Sequence, residues 1–391
     1  MNFISVVAVI IVSISYSSFK DKLQLLSQRR YIIWMTVFFI LLILSLFLSS
    51  NQKAGFRYLD SRLPLIYFPL SLGLIHLKKD VRDKILLSIA ILVTIVVSIC
   101  LGYGIYRSVT FQNTAFLYND SLSEPITGQQ SIYISLLVNL AIYIFSWFLF
   151  YKKQLRYKPL LVLAILFLFI ISFLLASRNL MLVLYASTLG FSFYYIIKQE
   201  KYLEGATLIM GLLIGVFLVF KFFPKTINRF KELSYTQFQF QQTGPESHYN
   251  MAVDTGQWNG ANTRLAVWQC GWQLFKQAPL WGVHLGDKKA KLMEVYREKN
   301  FQFAIRTEKN LHNNYFDIAV SLGLAGLVLF LVGWILLPIR KAWRHRDGLA
   351  LLIMLTFAIA MITENYFDRS LGSMLFGFFI PFLLSDKTSK S

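Results

Sequence analysis

Long apolar runs fill most of this chain, and one polar, glycine-containing stretch at about 221–314 interrupts them. A helix needs ~20 apolar residues to cross a bilayer, and fewer where the bilayer thins locally. Eleven runs reach or approach this length: 3–19, 31–50, 63–77, 85–105, 131–151, 159–176, 180–197, 205–223, 314–337, 348–363 and 371–385. The third, tenth and last are the shortest. This pattern predicts membrane-spanning helices on both sides of a large polar connection.

The predicted organisation follows from this alternation. We expect transmembrane helices one to eight in 1–220, a loop domain with short amphipathic helices in 221–313, transmembrane helices nine to eleven in 314–385, and a cytoplasmic tail in 386–391. Helices satisfy their own backbone hydrogen bonds inside lipid. The expected fold class is therefore an all-α polytopic membrane protein with about 11–12 transmembrane helices and one large loop domain.

Composition supports this fold class and excludes others. Hydrophobic residues make up 56% of the chain and charged residues 15%, and the mean hydropathy is +0.53. Soluble domains contain ~25% charged residues. The net charge of +19 does not indicate nucleic-acid binding, because most basic residues flank apolar runs. Two cysteines, Cys100 and Cys270, lack any metal-ligand or disulfide spacing, so neither a disulfide framework nor a zinc site is expected.

The distribution of Lys and Arg predicts the topology. The connectors after the odd-numbered runs, together with the tail, hold 20 basic residues, against six in the other short connectors. Basic residues concentrate in cytoplasmic connectors. The N-terminus and 221–313 are therefore expected outside the cytoplasm and the C-terminus inside. We interpret 3–19 as a retained span. An additional helix before residue 1 would change the span count to an even number.

This topology limits the chemistry. The cytoplasmic connectors are about six to eleven residues long, which is too short for a catalytic domain. No phosphate-binding loop, dinucleotide fingerprint or paired-aspartate sugar-nucleotide motif is present. The large polar stretch faces the side where ATP and sugar nucleotides are absent. An enzyme there must use a substrate that carries its own leaving group.

Three amphipathic pieces are expected in 221–313 and could cover the membrane bundle. The first runs from Thr226 to about Phe240, and the third from Lys288 to about Lys299 with Asp287 as its cap. The second begins at Asn262, a plausible N-cap, and ends before Pro279. Its apolar residues recur at helical spacing on one face: Leu265, Trp268, Trp272 and Phe275.

Three arginines on the outer side are candidates for gripping a phosphate. They are Arg178, Arg264 and Arg369. A guanidinium binds phosphate through two parallel hydrogen bonds. The structural alternative is an arginine that extends its charge to the membrane edge. Arg178 is unusual because positive charge is disfavoured in a tight outer turn and no acidic residue lies near it in sequence.

His312 is the candidate proton acceptor. It directly precedes the ninth apolar run, and imidazole can take a proton from a hydroxyl near neutral pH. The structural alternative is an interfacial histidine beside an asparagine helix cap. Asp317 lies one turn past Asn313, and it either orients His312 or sits at the interface.

These residues match a known pattern over about 160–385. His312-Asn313, followed after nine residues by Gly323 and then by Gly326, resembles the motif of the O-antigen ligases. Asn262-Thr263-Arg264-Leu265-Ala266 with the later Pro279-Leu280-Trp281-Gly282 resembles that family's second arginine motif, and Ser177-Arg178-Asn179 its first. Where the family often has Gly-x-Gly, this chain has Gly282-Val283-His284.

The resemblance implies a function. It implies the all-helical fold of lipid-carrier-dependent (GT-C-like) glycosyltransferases in the bacterial inner membrane, with a periplasmic active site. The implied donor is a glycan on undecaprenyl pyrophosphate, and the implied acceptor is a sugar hydroxyl of the lipid A core; neither metal nor nucleotide is implied. By motif position, Arg178 and Arg264 would grip the pyrophosphate and His312 would act as base. Asn313, Trp268 and Arg369 complete the expected substrate-binding set.

Two rival functions remain. An O-antigen polymerase of the same superfamily would use the same donor with a second lipid-linked glycan as acceptor. The spacing of the histidine motif and the context of Arg264 favour the ligase. A flippase or other transporter would place several ionisable groups deep in its spans, whereas charges here cluster at the ends of the runs and in the loops.

Overall fold

Helices dominate the computed structural model of the protein. It describes residues 3–152, 157–198, 200, 202–222, 234–244, 246–247 and 256–385. The described residues are 78% helical and contain no strand beyond one isolated bridge between Glu246 and Trp258. Together with the apolar helices below, this confirms the predicted all-α polytopic fold class.

The helices follow the apolar runs closely. Their bounds are α1 Phe3–Tyr16, α2 Phe19–Gln28, α3 Arg30–Phe47, α4 Gln52–Arg62, α5 Pro64–Ser71, α6 Lys79–Thr110, α7 Asp120–Thr127, α8 Ser131–Tyr151, α9 Lys158–Leu175, α10 Arg178–Lys198, α11 Tyr202–Phe222, α12 Gly260–Gln277, α13 Lys288–Glu298, α14 Gln302–Arg306, α15 Asn314–Phe330, α16 Leu337–Arg344, α17 Gly348–Ala360 and α18 Ser370–Leu383. A π-helical segment, Leu331–Leu336, joins α15 to α16.

Within the described residues, five helices are long and apolar enough to cross a membrane: Arg30–Phe47, Lys79–Thr110, Ser131–Tyr151, Lys158–Leu175 and Asn314–Arg344. Shorter apolar helices include Gly348–Ala360 and Ser370–Leu383. Helices also cover most of each of the eleven runs except 63–77. That run forms only the eight-residue α5, which rises ~12 Å at 1.5 Å per residue and cannot span a ~30 Å hydrocarbon core.

The chain divides into two compact units. Unit 1 comprises Met1–Asp83, Gln237–Gly244 and Asn262–Ser391. Unit 2 comprises Lys84–Thr236 and Pro245–Ala261.

Aromatic side chains form the core of unit 1 between α3, the α15–α16 segment and α18. Phe330 packs against Phe38 with ring centroids 5.5 Å apart, and Trp334 packs against Phe376 at 5.1 Å. All four are almost completely buried. Aromatic rings bury large areas and interact edge-to-face, so this cluster holds the polar residues beside it in a fixed frame.

In unit 2, α8, α9 and α10 pack together around buried apolar residues. The Asn139 side chain on α8 donates to the Leu180 carbonyl of α10 at 2.8 Å, which satisfies a buried amide. Helix α9 ends where Ala176 adopts a left-handed conformation with φ of 50°. The chain then turns directly into α10, whose first residue is Arg178.

The segment before α13 is fastened to the end of α3, which the sequence pattern did not indicate. The Leu285 N–H donates to the Ser45 hydroxyl at 2.9 Å. The Gly286 N–H donates to the Ser49 hydroxyl, also at 2.9 Å. The Asp287 carboxylate accepts from two backbone N–H groups in the turn after α3, at 2.8 and 2.9 Å. Asp287 occupies the N-cap position of α13, as predicted, but its side chain makes no capping hydrogen bond to that helix. Its carboxylate oxygens accept hydrogen bonds from the backbone of the α3–α4 turn instead.

The predicted start of the Trp-containing helix also needs correction. Helix α12 begins at Gly260, two residues before the expected cap Asn262, and the Asn259 side chain accepts from the Ala261 N–H at 2.8 Å. Asn262 is buried and donates instead to the Gln237 carbonyl at 3.4 Å. The helix ends at Gln277, as the position of Pro279 predicted. The expected piece from Thr226 to about Phe240 lies partly outside the described residues.

Candidate active site

The turn after α12 and helix α15 approach each other closely at two glycines, Gly282 and Gly323. Gly323 interrupts α15 with φ of 66° and ψ of −167°, and Gly282 also has a positive φ of 71°. A side chain at Gly323 would collide with the Leu280 backbone. This close approach lets the Leu324 N–H donate to the Pro279 carbonyl at 2.8 Å. The two resembling motifs therefore meet in space, because the α15 break is fastened to the turn after α12.

A histidine stands at the position where the family often has a second glycine. His284 has a φ of 69°, a left-handed conformation that non-glycine residues rarely adopt. Its backbone therefore takes the glycine-type turn, and the neighbouring Val283 N–H still reaches the Val320 carbonyl of α15 at 2.9 Å.

His312 lies in the short connection between α14 and α15, and its backbone is held tightly. Its φ is 45°, and the Asn310 side chain accepts from its N–H at 3.0 Å. Asn313 caps α15, accepting from the Phe316 N–H at 3.0 Å. Backbone strain of this kind persists only where surrounding contacts enforce it, and it is common at functional sites.

The imidazole of His312 pairs with Glu364. His312 Nδ1 lies 3.3 Å from Glu364 Oε2, and the two side chains are 27% and 15% exposed. Burial raises the pKa of Glu364, but the charge and hydrogen bond of His312 and the charge of Arg264 outweigh burial, so its pKa lies below the usual value. A carboxylate on one ring nitrogen orients the imidazole and leaves the other nitrogen for chemistry. Asp317, the suggested orienting group, serves another partner, as described below.

Helix α12 contributes two of the predicted residues to the same place. Arg264 Nε donates to the Thr363 carbonyl, next to Glu364, at 3.1 Å. Trp268 Nε1 donates to the Leu311 carbonyl, next to His312, at 2.7 Å. Arginine and tryptophan one turn apart therefore connect the two chain segments that carry the His312–Glu364 pair. The fold brings together four predicted site residues: Arg264, Trp268, His312 and Asn313.

The predicted apolar face of α12 is not its buried face. Its buried residues are Asn262, Thr263, Ala266, Val267, Cys270, Gly271 and Leu274. Leu265 and Trp272 are exposed. Exposed tryptophan and leucine suit a membrane interface, where an apolar ring can enter the headgroup region. Small residues on the opposite face allow α12 to pack closely within unit 1, because a Cβ at Gly271 would collide with Leu311 and Phe316.

Two predicted arginines remain, one in each unit. Arg178 lies in unit 2, half-buried at the start of α10. Arg369 lies in unit 1, exposed and directly before α18.

A buried ion cluster lies beside the His312–Glu364 pair. Lys288 Nζ donates to both Asp317 oxygens at 2.7 Å and to Asp368 Oδ1 at 2.9 Å. Arg62 Nη2 reaches the same two carboxylates at 3.4 and 3.3 Å. All four residues lie in unit 1, and we call them the floor cluster. It joins α4, α13, α15 and the connection before α18.

The floor cluster satisfies its own charges. Burial lowers the pKa of Lys288, but Asp317 and Asp368 outweigh it and hold its pKa above the usual value. Burial raises the pKa of Asp368, but Lys288 and Arg62 outweigh it and hold its pKa below the usual value. Lys288 and Asp368 therefore stay charged together, which a buried site tolerates only with such pairing. Sequence analysis missed Lys288 and Arg62 because their partners lie far away in the chain.

A cavity of about 250 Å³ opens above the floor cluster. Its lining residues are Tyr58, Lys288, Lys289, Leu292, Glu308, Lys309, Asn310, Leu311, Asp317, Val320 and Asp368. Among the residues that the structure describes, no three His, Cys, Asp or Glu side chains are grouped so that they could hold a metal ion.

The comparison with known families agrees with the motifs. Residues 163–331 match the family model described as O-Antigen ligase, and this range contains Arg178, Arg264 and His312. No curated protein gives a significant match to the chain. The family match covers somewhat less than half of the 391 residues. Residues 163–331 thus match an O-antigen ligase domain, which confirms over this range the resemblance identified from the motifs.

Proposed function

We propose that this member of the O-antigen ligase/polymerase superfamily transfers O-antigen polysaccharide from undecaprenyl pyrophosphate to a sugar hydroxyl of lipid A-core, completing lipopolysaccharide. It would act as a multi-pass protein of the bacterial inner membrane with its site facing the periplasm. One observation carries the proposal: His312 of the matched domain pairs with Glu364, and Arg264 of that domain donates to the carbonyl of the preceding Thr363.

His312 acts as general base. With Nδ1 protonated and donating to Glu364, Nε2 carries the lone pair that accepts a proton from the acceptor hydroxyl. The partial exposure of the ring gives a hydroxyl access to it. The negative charge of Glu364 stabilises the imidazolium that forms, as a carboxylate does in other acid–base pairs.

The bond changes balance without a co-reactant. The acceptor oxygen bonds to the anomeric carbon of the donor sugar while the bond from that carbon to the pyrophosphate oxygen breaks. The pyrophosphate leaves with the electron pair, and His312 receives the hydroxyl proton. Charge develops on the leaving group, and preorganised cations in a water-poor site lower such a barrier by several kcal/mol.

Arg264 and Arg178 are proposed as these cations. Arg264 is held by the Thr363 carbonyl, and its charge acts on Glu364, the partner of His312. Arg178 begins α10, where the helix N-terminus adds a partial positive charge that favours an anion. The planar guanidinium suits a pyrophosphate because it can donate two parallel hydrogen bonds to phosphate oxygens.

Complementation tests the activity. A host lacking its own ligase, with a matched core and donor, is supplied with wild type, His312→Ala or the exposed control His345→Ala. We expect wild type and the control to restore the long-chain ladder on a lipopolysaccharide gel and His312→Ala to fail. If wild type fails while the donor accumulates on its carrier, the ligase proposal is wrong, and the polymerase assay with a second lipid-linked glycan follows.

Charge-conserving variants test the arginines. Arg264→Lys and Arg178→Lys keep the positive charge but lose the two-pronged grip. We expect a fall of about 10-fold or more in transfer rate for each, and little change for the exposed control Arg297→Lys. Full activity in an Arg→Lys variant would remove that arginine from the phosphate grip. Prolonged chelator treatment of the purified protein should leave the rate unchanged, because the proposal uses no metal.

A further inference from the structure

The cavity above the floor cluster has no role in the proposed chemistry. Its volume of about 250 Å³ is slightly below the ~300–1,000 Å³ of cavities that hold drug-sized ligands. The space therefore suits a small polar group, such as one or two sugar units. All of its lining residues belong to unit 1.

The charges that line the cavity are balanced. Three lysines and three carboxylates line it: Lys288, Lys289, Lys309, Glu308, Asp317 and Asp368. Lys289 and Glu308 pair at the rim, with Nζ and Oε2 2.7 Å apart, and both are well exposed. A pyrophosphate would meet carboxylates at the floor and at the rim. An uncharged polyol suits this lining better, because each hydroxyl can donate to a carboxylate and accept from a lysine.

Tyr58 adds a hydrogen-bonding group and an aromatic surface. Its ring packs against the floor, with Lys288 Nζ 4.3 Å from the ring centroid. Burial, the largest effect, raises the pKa of Tyr58, so its hydroxyl stays protonated and can donate. That hydroxyl makes no hydrogen bond within the described part of the chain. A half-buried donor in a cavity lining is poised for a ligand oxygen.

Asn310 links this cavity to the base. Its Nδ2 donates to Asp368 Oδ2 at 3.1 Å, and its Oδ1 accepts from the His312 N–H at 3.0 Å. A sugar bound in the cavity would therefore touch the same short segment that positions His312. Such binding would hold a substrate glycan beside the reacting groups, which is where positioning raises the rate.

We propose that this cavity binds an uncharged sugar unit of one of the two glycan substrates, with the Tyr58 hydroxyl and the Glu308 carboxylate as ligand-contacting groups. The inference rests on the proposed glycan transfer. The sugar can come from the acceptor core or from the donor glycan, and the experiments separate these sources.

The first experiment measures binding without catalysis. Saturation-transfer NMR on the full chain in nanodiscs uses D-glucose, D-galactose and N-acetyl-D-glucosamine, with D-glucose 6-phosphate as the charged comparison. We expect saturable binding of at least one neutral sugar. Tyr58→Phe, which removes one hydroxyl, should weaken it by about 3- to 10-fold, as should Glu308→Gln. Tyr106→Phe and Glu294→Gln, at exposed positions, should leave it unchanged.

Several results would overturn the proposal. These are the absence of saturable binding for all three neutral sugars, binding that both Tyr58→Phe and Glu308→Gln leave unchanged, or D-glucose 6-phosphate binding tenfold more tightly than D-glucose. Tyr58→Phe preserves ring packing and Glu308 is exposed, so neither variant should disturb folding.

The second experiment identifies the source of the sugar. In the transfer assay, a rise in acceptor KM for Tyr58→Phe with unchanged donor KM assigns the cavity to the acceptor, and the reverse assigns it to the donor. An active enzyme with neither KM changed overturns the proposal. A protein that binds sugar through Tyr58 but transfers no glycan instead contradicts the proposed function and leaves the cavity assignment standing.

Discussion

The His312–Glu364 pair and the two carboxylates of the floor cluster lie on the same two stretches of chain, 310–317 and 364–368, yet the pair and the cluster differ in exposure and pairing. The first is one histidine–carboxylate pair with partly exposed side chains, and its two atoms lie 3.3 Å apart. The second holds two cations and two carboxylates that are buried or nearly so, with its shortest contacts at 2.7 Å. Of these neighbouring polar groups in unit 1, the His312–Glu364 pair is therefore the more accessible to a substrate.

The difference follows from the cost of burying charge. Each carboxylate of the floor cluster contacts both Lys288 and Arg62, so removing one partner leaves a charge in a poor solvent. The partly exposed ring of His312 can exchange a proton with a substrate. Its acidic partner is Glu364, whose pKa is lowered by the charge of His312. We therefore expect changes in the floor cluster to affect stability first, and changes at His312 to affect rate first.

The largest expected effect is on catalysis. His312→Asn removes the base while keeping a residue that tolerates the left-handed conformation at φ of 45°. We expect the transfer rate to fall by about 10²- to 10⁴-fold, the range that general-base catalysis contributes. Initial rates and thermal unfolding of the purified protein measure both effects. A large loss of stability in this variant would contradict the distinction between the two regions.

Lys288→Met tests the opposite region. It leaves Asp317 and Asp368 buried with Arg62 as their remaining cation, and breaking a buried pair costs ~3–5 kcal/mol. We expect a clear drop in the thermal midpoint in detergent, smaller at acidic pH because protonation removes the unpaired charge. Lys289→Met, at the exposed neighbouring position, is the control and should change the midpoint little. Equal effects of the two changes would mean that burial does not matter here.

Gly323→Ala tests the close backbone contact between α15 and the turn after α12. Its φ and ψ lie in a region that is essentially restricted to glycine, where strain is ~1–3 kcal/mol. An added Cβ also collides with the Leu280 backbone, so we expect a loss of about 2–3 kcal/mol or more in stability. Gly348→Ala is the control, because a Cβ there meets nothing within 4 Å. Equal midpoints for the two variants would refute the need for this close approach.

Glu364→Gln gives the smallest expected effect, and it depends on pH. The pKa of Glu364 is lower in the folded protein than its ordinary value of 4.5, so ionised Glu364 stabilises the fold above that pH. This stabilisation is lost as the pH falls from about 4.5 through the lower folded value. We expect the wild type to be more stable than Glu364→Gln at neutral pH and the gap to close on acidification. A gap that widens in acid would reverse the assigned sign.

Local patterns in the amino-acid order predict much of this molecule. Apolar run length predicted eleven helical segments, and helices cover ten of these runs almost fully, because a helix satisfies its own backbone bonds over consecutive residues. The exception is run 63–77, where the helix α5 has only eight residues. The length of an apolar run does not show that a helix ends within it. The histidine and arginine motifs also located His312, Arg264 and Trp268, which the fold brings together.

Long-range pairing required the tertiary structure. Glu364 lies 52 residues from His312, and Arg62 meets carboxylates 255 and 306 residues away. Sequence spacing carries no signal for such contacts. The sequence therefore left Asp317 as a possible partner of His312, whereas in the structure it binds Lys288 and Arg62. Side-chain charge is encoded residue by residue, but burial and partner choice arise only when distant segments pack, and these decide which groups are paired.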